Sequence, residues 1–136
     1  MELPKTASLD ITCEDESGTT LTLKGVTSLS PKADLHLNVP VVCVDAKNNP
    51  AALTISTAAG KNLSLHETIG CKALTIKGSK NCQLTVLSAI TADSITGFNR
   101  VEIIDGSLTV NKTLTTDRLA RSNPAYLVVK SGAAGT

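Results

Sequence analysis

Short apolar–polar–apolar triplets alternate along the chain with clusters of turn-forming residues. Leu21-Thr22-Leu23, Val42-Cys43-Val44, Leu63-Ser64-Leu65 and Leu84-Thr85-Val86 begin 21 residues apart. A second column repeats the same step with Leu53-Thr54-Ile55 and Leu74-Thr75-Ile76, and Ile95 continues it. Ile69 and Ile90 form a third, fainter column. Two-residue alternation predicts half-buried strands, and a polar Thr or Ser at the centre of a triplet suits the outward position of a strand. Between the triplets lie Lys47-Asn48-Asn49-Pro50, Ala59-Gly60-Lys61-Asn62, Lys77-Gly78-Ser79-Lys80-Asn81 and Thr96-Gly97-Phe98-Asn99, all read as turns.

Repetition at a fixed period predicts a β-solenoid. One coil of about 21 residues cannot bury its own apolar row, whereas stacked coils place Leu on Leu and pair each strand with the one above. A leucine-rich repeat has a similar period but needs a regular Asn or Cys turn and a helical return, and neither is regular here. An antiparallel sandwich also has many short strands but gives no reason for a repeated step. The expectation is therefore all-β, a parallel β-helix forming one domain over residues 1–136.

The ends are less regular. Leu9-Asp10-Ile11-Thr12 reads as a strand followed by an acidic turn from Glu14 to Gly18. Residues 1–34 read as an extra coil or an N-terminal extension, since Leu21 and Leu23 keep the period. Val101–Ile104 and Ser107–Val110 read as strands around an Asp105-Gly106 turn, Thr116–Arg121 as a helical turn, Ala125–Lys130 as the last strand, and Ser131–Thr136 as a flexible tail.

Composition shapes the core. Hydrophobic residues make up 41%, yet the chain has one Phe, one Tyr and no Trp, so Leu, Ile, Val and Ala must fill thin repeating layers. A net charge of +1, with no block of like charges, gives no electrostatic case for nucleic acid. No apolar run reaches membrane-spanning length, and Met1-Glu2-Leu3-Pro4 does not resemble a secretory leader, so the expected compartment is cytoplasmic. Cys13, Cys43, Cys71 and Cys82 form no C-x-x-C pair, which argues against zinc and favours reduced thiols over disulfides.

Candidate chemistry is sparse. Alternation places His36 on the outer face, and Asp45, Glu67, Asp93 and Glu102 share no register, so no carboxylate pair for glycoside chemistry can be assembled. With Phe98 and Tyr126 as the only rings, sugar stacking is poorly supported. The expectation is a non-enzyme without cofactor or metal. Polar residues at strand ends and turns remain: Lys77, Lys80, Asn81, Arg100, Glu102, Asn111 and Lys112. Each alone reads as solvated surface; together, on a flat solenoid face, they suit a protein partner.

The run Leu74–Asn81, the strand Arg100–Asp105 and the segments Val110–Thr113 and Ala125–Leu127 carry a resemblance, spanning Leu35 to Lys130, to the C-terminal β-helical domain of cyclase-associated protein. Leu74-Thr75-Ile76-Lys77-Gly78-Ser79-Lys80-Asn81 is similar to that family's glycine turn, and Arg100-Val101-Glu102-Ile103-Ile104-Asp105 to its Val-Glu-Ile-Ile strand. Val110-Asn111-Lys112-Thr113 and Ala125-Tyr126-Leu127 resemble its later segments. The resemblance implies a right-handed helix that forms homodimers, binds monomeric actin through the charged strand ends named above, and promotes exchange of actin's nucleotide. The chain departs from the family in having Val42 where Trp is usual, in the position of Lys80, and in lacking a clear counterpart of its C-terminal hairpin. The alternative expectation is a structural solenoid, as in a fibre, adhesin or phage appendage.

Overall fold

The computed structural model describes residues 6–7, 20–122 and 125–129. The strand expected at Leu9–Thr12, the acidic turn from Glu14 to Gly18 and the tail from Ser131 to Thr136 lie outside the described residues. The strands, in chain order, are β1 (Thr6–Ala7), β2 (Leu21–Lys24), β3 (Ser28–Leu29), β4 (Leu35–Leu37), β5 (Val41–Val44), β6 (Ala52–Ser56) and β7 (Leu63–Leu65). They continue with β8 (Ile69–Gly70), β9 (Ala73–Lys77), β10 (Gln83–Val86), β11 (Ala89–Ile103), β12 (Ser107–Arg121) and β13 (Tyr126–Val129).

All pairing between these strands is parallel, and the chain winds as a β-solenoid of about six turns. The first face carries β4, β7, β10 and the last parts of β11 and β12. The second carries β2, β5 and β8, followed by the opening parts of β11 and β12 and then β13. The third carries β1, β3, β6, β9 and the middles of β11 and β12. β11 and β12 each pass through all three faces without losing strand pairing, turning corners at register shifts near Ala92–Ser94 and Ile95–Phe98.

Inward side chains stack in register. Leu35, Leu63, Leu84 and Val101 form one buried row, and Leu29, Ile55, Ile76, Ile95 and Leu114 another. Neighbouring coils lie ~4.8 Å apart, so each aliphatic side chain is covered from above and below. Full burial of one such Leu or Ile stabilises the fold by roughly 1.5–3 kcal/mol. Phe98, the one large ring inside, fits because Gly78 lies against it; a Cβ on Gly78 would collide with the ring.

The structure corrects the expected repeat. The 21-residue step holds from Leu63 to Leu84 and from Leu53 to Leu74. Elsewhere the coils vary: Leu35 aligns with Leu63 28 residues on, Leu84 with Val101 17 on, and Ile76 with Ile95 19 on. Leu21 belongs to the second face and aligns with Val41, not Val42. Val41 and Cys43 point inward while Val42 is 38% exposed. The longest coil is lengthened by the loop after β5, which Asp45 closes by accepting hydrogen bonds at Oδ1 from the amides of Lys47 (2.8 Å) and Asn49 (3.0 Å). Its tip residue Asn48 takes φ 64°.

Two local expectations also change. Thr116–Arg121 is strand, not a helical turn, because its residues hydrogen-bond to the preceding coil through β11. Thr96–Asn99 is a corner within β11 rather than a break: Gly97 supplies φ 84° and the ladder resumes at Phe98.

Candidate functional site

The candidate partner-binding residues fall into two groups. Lys77, Lys80 and Asn81 lie at the corner from the third face to the first, and Arg100 and Glu102 follow on the first face itself. Asn111 and Lys112 sit at a different corner, between the second face and the third. The seven therefore do not make one patch.

The first group has an ordered geometry. Corner backbone amides are satisfied by side chains of adjacent coils: Asn62 N donates to Asp34 Oδ1 (2.9 Å), Gln83 N to Asn62 Oδ1 (3.0 Å) and Asn81 N to Asn99 Oδ1 (2.7 Å). Asn81 adopts φ 62°, a conformation that Asn tolerates better than most residues. On the flat face beyond, Gln83 Nε2 donates to Thr85 Oγ1 (3.2 Å) and to Glu102 Oε1 (3.4 Å), while Arg100 Nη2 bonds Glu102 Oε2 at 3.2 Å. Register places Arg118 beside Arg100 on the next coil. The half-buried Gln83, Thr85, Arg100 and Glu102 form a preset lateral network of donors and acceptors, and Ser64 and His36 extend the outward row toward the N-terminal coils.

His36 lies on the outer face as alternation requires, and it faces His66 with ring centroids 5.9 Å apart. Burial and the neighbouring His36 hold the His66 imidazole below its ordinary pKa, with Glu67 opposing. In the second group, Asp93 receives a hydrogen bond from Asn111 Nδ2 (3.2 Å) and an ion pair from Lys112 Nζ (3.8 Å). Both Asn111 and Lys112 are thus engaged within the fold.

Two arrangements were beyond sequence reasoning. On the third face Ser28, Thr54, Thr75, Ser94 and Thr113 stand in register as one hydroxyl row, with Ser56, Lys77 and Thr96 as a second row beside it. Thr54 and Thr75 already align in the 21-residue column, but placing Ser28, Ser94 and Thr113 with them needed the true coil lengths. On the second face Cys43 lies in the core with Cys71 packed against it, each one residue past the Val42–Gly70 pair. Their spacing matches the 28-residue step between Val41 and Ile69 and could be read only once that step was known.

No group of three or more His, Cys, Asp or Glu suited to a metal occurs among the described residues. A shallow depression of about 200 Å³ is lined by Gly97, Phe98, Thr115, Thr116 and Asp117. That is below the ~300–1,000 Å³ usual for small-molecule sites. No helix among the described residues is long and apolar enough to cross a membrane.

Fold and surface define a class: a parallel β-solenoid whose ordered features are flat faces. No protein-family model, no curated protein and no solved structure matches the chain.

Proposed function

We propose that the chain is a non-catalytic binding module whose first face docks on a protein partner. The observation that carries this reading is the network of Gln83, Thr85, Arg100 and Glu102, held half-buried on a flat sheet. Side chains already held by one another lose little rotamer freedom on docking. Arg with a carboxylate neighbour provides directional, charge-assisted contacts. The resemblance of the turn from Lys77 to Asn81 and of the strand from Arg100 to Asp105 to cyclase-associated protein makes monomeric actin the first partner to test. Binding would act on actin by stabilising one of its conformations over another.

The test is nucleotide exchange on actin monomers with micromolar protein, alongside Arg100→Ala. Faster exchange, lost in the variant while its melting temperature is kept, supports the reading. An unchanged exchange rate together with no co-sedimentation removes actin. End-to-end polymers in analytical ultracentrifugation would favour a structural solenoid instead.

The third face supports a second reading, docking on a regularly repeating surface such as ice. Its two hydroxyl rows step ~4.8 Å from coil to coil, and Lys77 is the one charged side chain in them. Inhibition of ice recrystallisation that is lost in Thr75→Tyr supports this reading; no inhibition by the parent protein eliminates it.

A further inference from the structure

Cys43 and Cys71 lie on successive coils of the second face. The register of β5 and β8 pairs Val41 with Ile69 and Val42 with Gly70. Cys43 and Cys71 follow the last of these pairs directly; Cys43 lies in the core and Cys71 packs against it. The last paired residues, Val42 and Gly70, stand on strands ~4.8 Å apart, and a disulfide bridges Cα atoms ~4.4–6.8 Å apart, so the cysteines that follow them start close to bonding range. β8 ends at Gly70; beyond it the Cys43 carbonyl accepts from Ala51 N (3.0 Å) and the Ala51 carbonyl from Lys72 N (2.9 Å), so Ala51 ties the two coils together beside the pair.

We propose that Cys43 and Cys71 form a two-cysteine oxidation site, in which hydrogen peroxide converts the pair to a disulfide that staples two successive coils. The two positions differ in the way such a site requires. Cys71 is only partly buried and is open to an oxidant, whereas Cys43 is buried in the core. Interaction with Cys43 lowers the Cys71 thiol below its ordinary pKa against the opposing effects of burial and of Asp93. The same interaction, with burial, keeps Cys43 protonated. The more acidic, more accessible thiol is the attacking one.

The Cys71 thiolate attacks one peroxide oxygen. The S–O bond forms, the O–O bond breaks, and hydroxide leaves to become water with a solvent proton. The Cys43 sulfur then attacks the sulfenic sulfur of Cys71. The S–S bond forms as the S–O bond breaks, and the departing hydroxide takes the Cys43 proton as water. Two thiols lose two electrons, and one peroxide is reduced to two waters. Cys82 offers an internal control: it is buried, accepts from Thr57 Oγ1 at 3.2 Å and donates to the Ala58 carbonyl at 3.1 Å, with no second thiol among its partners.

The test uses the full chain treated with hydrogen peroxide, then alkylated and mapped by mass spectrometry. The expected result is a loss of two hydrogens, a Cys43–Cys71 linked peptide and an alkylatable Cys82. Cys43→Ser should stop the reaction at a Cys71 sulfenic acid that dimedone traps. Cys71→Ser, a change at a partly exposed position, should leave Cys43 reduced and slow thiol loss by about tenfold or more. A link from Cys71 to Cys13, oxidation of Cys43 in Cys71→Ser, or a Cys71 that reacts no faster than Cys82 would overturn the proposal.

Discussion

Gly97 shows how single residues set the limits of this fold. Its φ of 84° turns the corner, and a Cβ there would meet the Gly78 carbonyl oxygen at 2.5 Å. Gly60 has a similar φ of 76° but nothing within 4 Å of the same position. Gly60→Ala should therefore cost only the backbone strain, about 1–2 kcal/mol, whereas Gly97→Ala adds a backbone collision and should cost about 3 kcal/mol or more. Urea denaturation of both variants separates the two effects, and equal losses would contradict the close packing of the corner. His66 gives the residue-scale pH dependence. Its folded pKa is lowered by burial and by His36, so the unfolded chain binds more protons in mild acid. The stability it contributes is present above the ordinary imidazole value of about 6.5 and is lost as pH falls through the folded value. His66→Gln should flatten the dependence of the urea midpoint between about pH 7 and pH 5. An unaltered profile would assign that dependence to other groups.

At the scale of the element, register decides which residues carry the core. Leu63 lies fully buried in a row of stacked leucines, while Val42 faces outward between Val41 and Cys43. Leu63→Ala should destabilise by about 2–5 kcal/mol through lost burial and a residual cavity. Val42→Thr should stay within about 0.5 kcal/mol, as for most surface changes. Thermal or urea melts test both, and a large loss from Val42→Thr would restore the uniform 21-residue column that the triplets suggest. The loop after β5 is a separate element-scale device. Its turn hangs on Asp45, whose carboxylate accepts the Asn49 and Lys47 amides and is held below its ordinary pKa by them. Asp45→Ala should speed hydrogen exchange at those two amides and leave β7 and β10 protected; uniform acceleration would show that the loop is not independent.

The whole molecule is quasi-one-dimensional. Each coil touches mainly the coils above and below it, so stability passes along the axis by nearest-neighbour contact. β13 pairs with β12 alone among the described residues and leaves Tyr126 65% exposed, while β7 is covered on both sides by β4 and β10. Native-state hydrogen exchange should therefore show protection falling from the central coils toward β13, with opening free energies that differ between them. A single opening energy shared by β7 and β13 would mean that the solenoid unfolds as one unit. The same geometry explains why the candidate surfaces are faces rather than pockets. Stacked strands make flat sheets, and function on such a scaffold lies in the rows of outward side chains.

The sequence by itself determined the strand triplets other than Val42-Cys43-Val44, the all-β class, the stacking of Leu, Ile and Val, and the outward position of His36, because alternation along a strand is a local property. It also marked Gly97 and Asn81 as corner formers, since backbone preference is intrinsic to the residue. Only the tertiary structure decided the coil lengths. A loop such as that of Asp45 can lengthen one turn without altering the triplets on either side, so a step of 21 could hold from Leu63 to Leu84 while Leu35 meets Leu63 only 28 residues on. Everything that depends on which coil lies above which was fixed there as well: the separation of Asn111 and Lys112 from Arg100 and Glu102, the hydroxyl rows, and the meeting of Cys43 with Cys71. Those contacts join residues far apart in the chain, and local pattern carries no information about their distance.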